Sequence, residues 1–118
     1  AEFALDGVIL AANDIFLDLM GYRLDEVKGR HHRMLVPPDA AGGREYQQLW
    51  ADLAAGRTQS GRFKRVAKGG AEVWIQGSYF PLRDPAGRPY KVVKYATDVT
   101  PARRVEEAAQ TLAAAARQ

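Results

Sequence analysis

The sequence predicts an α+β domain, a five-stranded antiparallel sheet with helices on one face, followed by a C-terminal helix. Three observations carry this reading. Two short β runs open the chain around Asp6-Gly7, helical spacings closed by glycine fill its middle, and from about Gly61 apolar residues recur with period two. Two strands, a helical crossover and three further strands form one antiparallel sheet, whose apolar face is buried under the helices.

Each element has its own local signal. Residues 1–5 and 8–10 form a hairpin, because Asp6-Gly7 tolerates the backbone that a tight turn needs. Asn13 stands at an N-cap, Ile15, Phe16, Leu19 and Met20 make one apolar helical face, and Gly21 ends that helix. Residues 24–29 form a second short helical turn with Gly29 as its stop, and Pro37-Pro38-Asp39 is a break. A third helix covers about 44–55, with Tyr46, Leu49, Trp50 and Leu53 on one face and Gly56 at its end. Residues 61–67 and 72–82 pair across Lys68-Gly69-Gly70. A turn at Asp84-Pro85-Ala86-Gly87 leads to a last strand over 90–97. After Asp98-Val99-Thr100-Pro101 the tail to Gln118 is alanine-rich and helical.

With 118 residues, 47% of them apolar, the chain is long enough for one domain with a real core. No segment approaches the roughly 20 apolar residues of a membrane span, so no membrane contact is expected of it. It opens abruptly in a strand and has no secretory signal, which reads as a cytoplasmic piece of a longer protein. The absence of cysteine excludes disulfides, Cys-ligated zinc and thiol chemistry. The net charge of +3 comes from scattered basic residues rather than a stripe interleaved with aromatics, so nucleic acid is not an expected partner. No nucleophile elbow, phosphate loop, dinucleotide fingerprint or metalloprotease motif is present. The pairs Asp25-Glu26 and Glu106-Glu107 fall on helix surfaces, so the chain is not read as an enzyme.

Several separated motifs resemble the PAS family over about residues 1–100. They are Asp6-Gly7-Val8-Ile9 with Ala12-Asn13, Gly21-Tyr22 with the segment 24–29, Lys68-Gly69-Gly70 with the run to Pro81-Leu82, and the closing Asp98-Val99-Thr100. The segments 29–34, 72–79 and 91–98 are most similar to PAS domains of soluble bacterial methyl-accepting chemotaxis proteins, of the aerotaxis and biofilm-dispersal type. The resemblance implies a PAS fold, a sensory domain at 1–100 and the start of a signalling helix or coiled coil at 101–118.

It also implies a pocket between the curved sheet and its helices. On the strand after Glu72, Val73, Ile75, Gly77 and Tyr79 then face inward, and Trp74, Gln76, Ser78 and Phe80 outward. The expected pocket residues are His31, His32, Asp39, Trp50, Ile75, Gly77, Tyr79, Lys94 and Ala96. A lysine on the face of Val92 and Ala96 requires an anionic group to offset its desolvation, unless its stem packs and its amine reaches water. Heme b or FAD is a cofactor of some relatives, and an apo domain fits the same residues. For heme, His31 or His32 is the only available metal ligand, because the proximal histidine of the heme oxygen sensors is missing ahead of Glu45-Tyr46. For FAD, Asp39 and Trp74 match the aerotaxis pattern, but Val36-Pro37 stands where a cationic pair is needed. Covalent flavin photochemistry lacks its cysteine.

At the output end, Asp98 and Thr100 are placed to bond local backbone and fix the strand-to-helix junction, as signal relay residues. Val105, Ala108, Leu112 and Ala115 form a coiled-coil seam, and Trp74, Phe80, Val105 and Leu112 are the expected homodimer face. The function expected is that of a chemotaxis-transducer sensor, relaying ligand, redox or oxygen state through the C-terminal helix beside flanking PAS or signalling domains. The alternative is a ligand-free PAS dimerisation module of a histidine kinase or cyclic-dinucleotide enzyme.

Overall fold

In the computed structural model, which describes residues 1–117, the opening hairpin is short. Strands β1 (Glu2–Phe3) and β2 (Ile9–Ala11) pair antiparallel around Asp6-Gly7, where Gly7 takes a φ of 95°. Helix α1 (Asp14–Met20) starts under the Asn13 cap, whose side-chain oxygen accepts from the Phe16 N–H at 3.0 Å, and ends at Gly21 with a φ of 75°. Helix α2 (Leu24–Val27) and a 3-10 turn at His32–Leu35 follow.

Four α-helices and a 3-10 turn fill the crossover, where three helices were expected. Pro37-Pro38-Asp39 is not a break but the start of helix α3 (Pro38–Ala41). Proline at the first helical position loses only an N–H that had no partner there, so the ring favours initiation. Helix α4 (Arg44–Ala54) then buries Leu49, Trp50 and Leu53, the face expected from their spacing.

The long hairpin joins β3 (Gln59–Val66) to β4 (Glu72–Arg83), and β5 (Pro89–Asp98) returns along β4. The spatial order is β2-β1-β5-β4-β3, all antiparallel, so the strands at the two ends of the chain's first half and second half meet at β1 and β5. Helix α5 (Thr100–Ala115) leaves the end of β5. Residue 118, the last of the expected helical segment, lies outside the described residues.

One core forms where the helices cover the sheet. Phe3, Ile9, Met20, Val27, Leu35, Leu53, Tyr79 and Val92 are all buried in it. Val73, Ile75 and Tyr79 point into the interior, as the alternation along β4 requires. Ile15 departs from expectation: it is 77% exposed. On a helix of only two turns, Phe16, Leu19 and Met20 at i, i+3 and i+4 complete the inward face, and Ile15 sits about 100° off it.

Gly77 has a steric origin in the sheet. A Cβ there would overlap the Tyr95 carbonyl oxygen and lie 2.7 Å from the Ala96 Cα, both of them backbone atoms of the neighbouring strand. Gly77→Ala must therefore separate β4 from β5, and a loss of about 2 kcal/mol or more is expected. Urea denaturation measures it, and wild-type stability in the variant would refute the close approach.

Candidate functional site

The backbone sets the two adjacent histidines before their rings find partners. Gly29 N–H donates to the Ile9 carbonyl at 2.8 Å, Ile9 N–H to Arg30 at 2.7 Å, and His32 N–H to Gly7 at 2.8 Å. That stitching lays the segment along the first hairpin and sends the two rings in different directions. His31 caps the 3-10 turn: its Nδ1 accepts from the Arg33 N–H at 3.0 Å, and its Nε2 donates to the Asp6 carbonyl at 2.6 Å. His32 is fully buried between the Tyr46 hydroxyl, 2.7 Å from Nδ1, and the Tyr79 hydroxyl, 3.2 Å from Nε2.

This pair belongs to a longer buried polar chain. Arg65, only 5% exposed, donates from Nη2 to the Tyr79 hydroxyl at 2.9 Å. If the Tyr79 O–H then donates to His32 Nε2, His32 Nδ1–H donates to Tyr46 and every link has one donor and one acceptor. Burial first, and then the nearby Lys94 and Arg65 charges, push the His32 pKa well below its ordinary 6.5, so the ring is neutral. Burial alone raises the Tyr79 phenol, but Lys94 and Arg65 together outweigh it and the net direction is down. Tyr46 is pushed up to about 12, chiefly by burial, with Arg65 opposing the rise.

Lys94 reaches the interior from β5, directly opposite Tyr79, and is 6% exposed. Its ammonium stands 4.9 Å from the Tyr79 ring centroid and 5.6 Å from that of Phe16. Neither Lys94 nor Arg65 forms an ion pair among the described residues. Burial lowers the Lys94 pKa, with Arg65 adding to the fall and Tyr79 opposing it.

Beside Lys94 an open cleft lies between α1 and the sheet, part of a groove of about 1160 Å³ that also borders Gln76, Ser78, Phe80 and Tyr95. Phe16, Leu19, Met20, Ile75, Gly77, Lys94 and Ala96 line its inner part. Four of the expected pocket residues, Ile75, Gly77, Lys94 and Ala96, therefore meet there. Tyr79 lies behind them in the core, its ring under the Lys94 ammonium.

The other expected pocket residues lie elsewhere. Asp39 is on the exposed surface of α3, because the proline start of that helix turns it outward. Trp50 packs in the core, its ring centroid 5.4 Å from His32 and 5.6 Å from Phe3, and does not reach the cleft. His31 and His32 do not fit axial ligation of heme, since each has both ring nitrogens engaged and neither lines the cleft. The rings of Phe3, His32, Trp50 and Tyr79, with centroids 5.2–6.3 Å apart, also leave no slot for a heme or flavin plane behind α4. No group of three or more His, Cys, Asp or Glu among the described residues is placed to hold a metal.

Sequence reasoning missed Arg65 and the polar role of Tyr46. The available signal was period: Arg65 alternates with Phe63 and Ala67 on the inward face of β3, and Tyr46 lies one turn before Trp50 on α4.

At the other end of β5 the junction is tied by one local bond and one bond to β4. Asp98 Oδ1 accepts from the Thr100 N–H at 2.9 Å, and Thr100 Oγ1 accepts from the Trp74 N–H at 2.9 Å. The first turns of α5 lie over β4: the Arg103 guanidinium is 4.6 Å from the Trp74 ring centroid, and Arg62 pairs with Glu106 at 3.1 Å. Val105, between Arg103 and Glu106, and Leu112, beyond them, are 69% and 72% exposed. Phe80 and Tyr95 form an edge-to-face pair on the outer sheet surface. No described helix is long and apolar enough to cross a membrane.

Comparison with known proteins agrees with this architecture. A family model described as PAS fold matches residues 1–104. The chain is 46% identical over 99 residues to the biofilm dispersion protein BdlA of Pseudomonas aeruginosa, covering 84% of this chain and 24% of that protein. It is 32% identical over 78 residues to the aerotaxis receptor of Escherichia coli, covering 66% of this chain and 15% of the receptor. The chain thus spans a quarter or less of the length of either relative. Among solved structures it is similar to an RNA-binding light-oxygen-voltage receptor, with a TM-score of 0.79 and 26% identity over 96% of this chain and 33% of that one. A PAS domain from Colwellia psychrerythraea shares the fold, with a TM-score of 0.72 at 21% identity over 84% of this chain and 83% of that one.

The buried imidazole has a testable consequence. A folded-state pKa below 6.5 means the unfolded chain binds a proton that the native chain refuses. The stability from neutral His32 is complete above about pH 6.5 and is lost as pH falls from there toward the folded pKa. The expected slope is up to about 1.4 kcal/mol per pH unit for one proton. His32→Gln, which can still bond both tyrosines, should flatten it. Denaturant melts between pH 7 and 5 measure both proteins, and parallel curves would refute the assignment.

Proposed function

The chain belongs to the PAS fold family, and we propose that it serves as the sensory module of a bacterial chemotaxis-type transducer, relaying occupancy of the α1 cleft through α5. In this reading residues 1–100 are the sensory domain and 101–118 begin the signalling helix. The observation that carries it is the attachment of α5. Thr100 is bonded to Trp74, and Trp74 is the neighbour of Ile75, which lines the cleft from the other face of β4. A shift of β4 on the cleft side therefore reaches the root of α5 through one residue. The likeness to BdlA and to the aerotaxis receptor supports the transducer assignment over a kinase or cyclase module.

The outward end of α5 is read as half of a parallel helix pair. Val105, Ala108, Leu112 and Ala115 form its apolar stripe, and the alanines allow close approach at the cost of a weak seam. A weak seam suits a relay, because couplings of about 1–3 kcal/mol are enough to shift it. The chain joins flanking signalling domains in this reading, and it performs no chemistry of its own.

Cysteine-free sequence makes the test simple. Leu112→Cys, on the seam, should form disulfide-linked dimers several times faster than Gln110→Cys, off the seam. Thr100→Ala added to Leu112→Cys should change that rate by loosening the root of α5. Equal rates at 110 and 112 would overturn the helix pair, and no effect of Thr100→Ala would overturn the relay.

A further inference from the structure

We propose that the α1 cleft binds a small organic monocarboxylate with an apolar body, its carboxylate held by Lys94. The inference rests on the sensory reading above and names the class of molecule sensed.

Lys94 is the cleft's only charged side chain among the described residues, and the residues lining the cleft include no Asp or Glu. The side chain is 94% buried by its 6% exposure, yet no carboxylate anywhere in the described structure pairs with it. Two aromatic faces meet the ammonium, Tyr79 at 4.9 Å and Phe16 at 5.6 Å. Such contacts offset part of the cost of desolvating a cation, but beyond the nearby Tyr79 hydroxyl they supply no hydrogen-bond acceptor for its three N–H groups. A ligand carboxylate supplies that acceptor and the missing charge together.

The rest of the wall selects the body of the ligand. Phe16, Leu19, Met20, Ile75 and Ala96 are apolar, so a hydrocarbon chain or ring gains by entering. Asn13 lines the same cleft, and its side-chain oxygen is spent on the α1 cap, which leaves its amide N–H groups for a second ligand oxygen. Lys94 is the one charged side chain there; the Ala1 ammonium also borders the cleft, but it is bonded to the Lys94 carbonyl oxygen at 3.3 Å, and burial and Lys94 both work against its charge. Inorganic phosphate has no apolar body to place against Phe16, Leu19 and Ile75, so it gains nothing from those walls.

The probes are phenylacetate and isovalerate, with phenylacetamide and inorganic phosphate as the neutral and the purely ionic controls. Amide NMR titration of the full 118-residue chain should show saturable shifts near Phe16, Ile75 and Ala96 with at least one carboxylate, and with neither control. Lys94→Met keeps the stem and removes a buried charge, so it should fold and should bind about tenfold more weakly or worse. Lys94→Gln gives a second variant with the same expectation.

Four results would overturn the assignment. They are no saturation by either carboxylate in the folded wild type, equal binding by both Lys94 variants, equal binding of the amide or of phosphate, and a heme or flavin band in the protein as purified. The first is also what a lysine that merely reaches water through the cleft would give. Any of these leaves the α5 cross-linking pattern unaffected, so failure here and failure of the relay are separate observations.

Discussion

Arg65 and Lys94 enter the interior from the strands on either side of β4, and no carboxylate among the described residues neutralises them. Their charge has to be met by groups that are neutral or nearly so. Phenol oxygens, π faces and a single imidazole carry that task. Replacing such a set by hydrocarbon is often neutral or favourable for stability, so the buried charges are weak evidence of a stabilising role. They do dictate the state of their neighbours. His32 is neutral chiefly because its site is dry, with two nearby cations adding to the effect, and Tyr79 is acidified by the same pair. Tyr46, at the far end of the chain of hydrogen bonds, is shifted the other way by burial. The interior thus changes character along one row of linked side chains.

Sheet and α5 are joined by few bonds, and each has a clear job. Asp98 closes the turn on the Thr100 N–H, Thr100 holds β4 through the Trp74 N–H, and Trp74 carries the Arg103 guanidinium on its ring. Proline at 101 enters the first turn of α5, where its missing N–H costs nothing. Past Glu106 the helix makes no tie to the domain comparable to these. The attachment of α5 to the sheet is therefore confined to about its first two helical turns.

Local chemistry made most of the architecture legible in the sequence. Asn13, Gly21, Gly69, Gly70 and the Asp84 turn each act within a few residues of themselves, and each element boundary they mark is found. The double proline was misread because the same ring both ends one element and starts another, and only the angle of the chain on entry separates the two. Ile15 was placed inside because a two-turn helix gives too little periodicity to locate its face to within one residue. The two histidines look alike in sequence. They part company because the bridge between Val8 and His31 fixes which ring turns toward Tyr79, a contact that spans 47 positions. Arg65 was invisible as a site residue for a related reason: its partner hydroxyl is supplied by a strand register that no nearby residue announces. The cleft was half legible. Alternation on β4 and β5 located Ile75, Gly77, Lys94 and Ala96, whereas Asp39 and Trp50 depended on how helices α3 and α4 turn against the sheet.

The row Gly61–Gly77–Ala96, which runs across β3, β4 and β5 under the cleft, leaves its floor without side chains larger than a methyl. Gly77 has no freedom to grow, because the neighbouring backbone occupies the space its Cβ would need. A lineage that alters what this cleft admits thus inherits a fixed floor and a few adjustable walls. Divergence among descendants should concentrate at Phe16, Leu19, Ile75 and Lys94. Under the proposed ligand class, Lys94 sets the sign of the charge that is welcome, so one codon at that position would separate readers of acids from readers of neutral molecules.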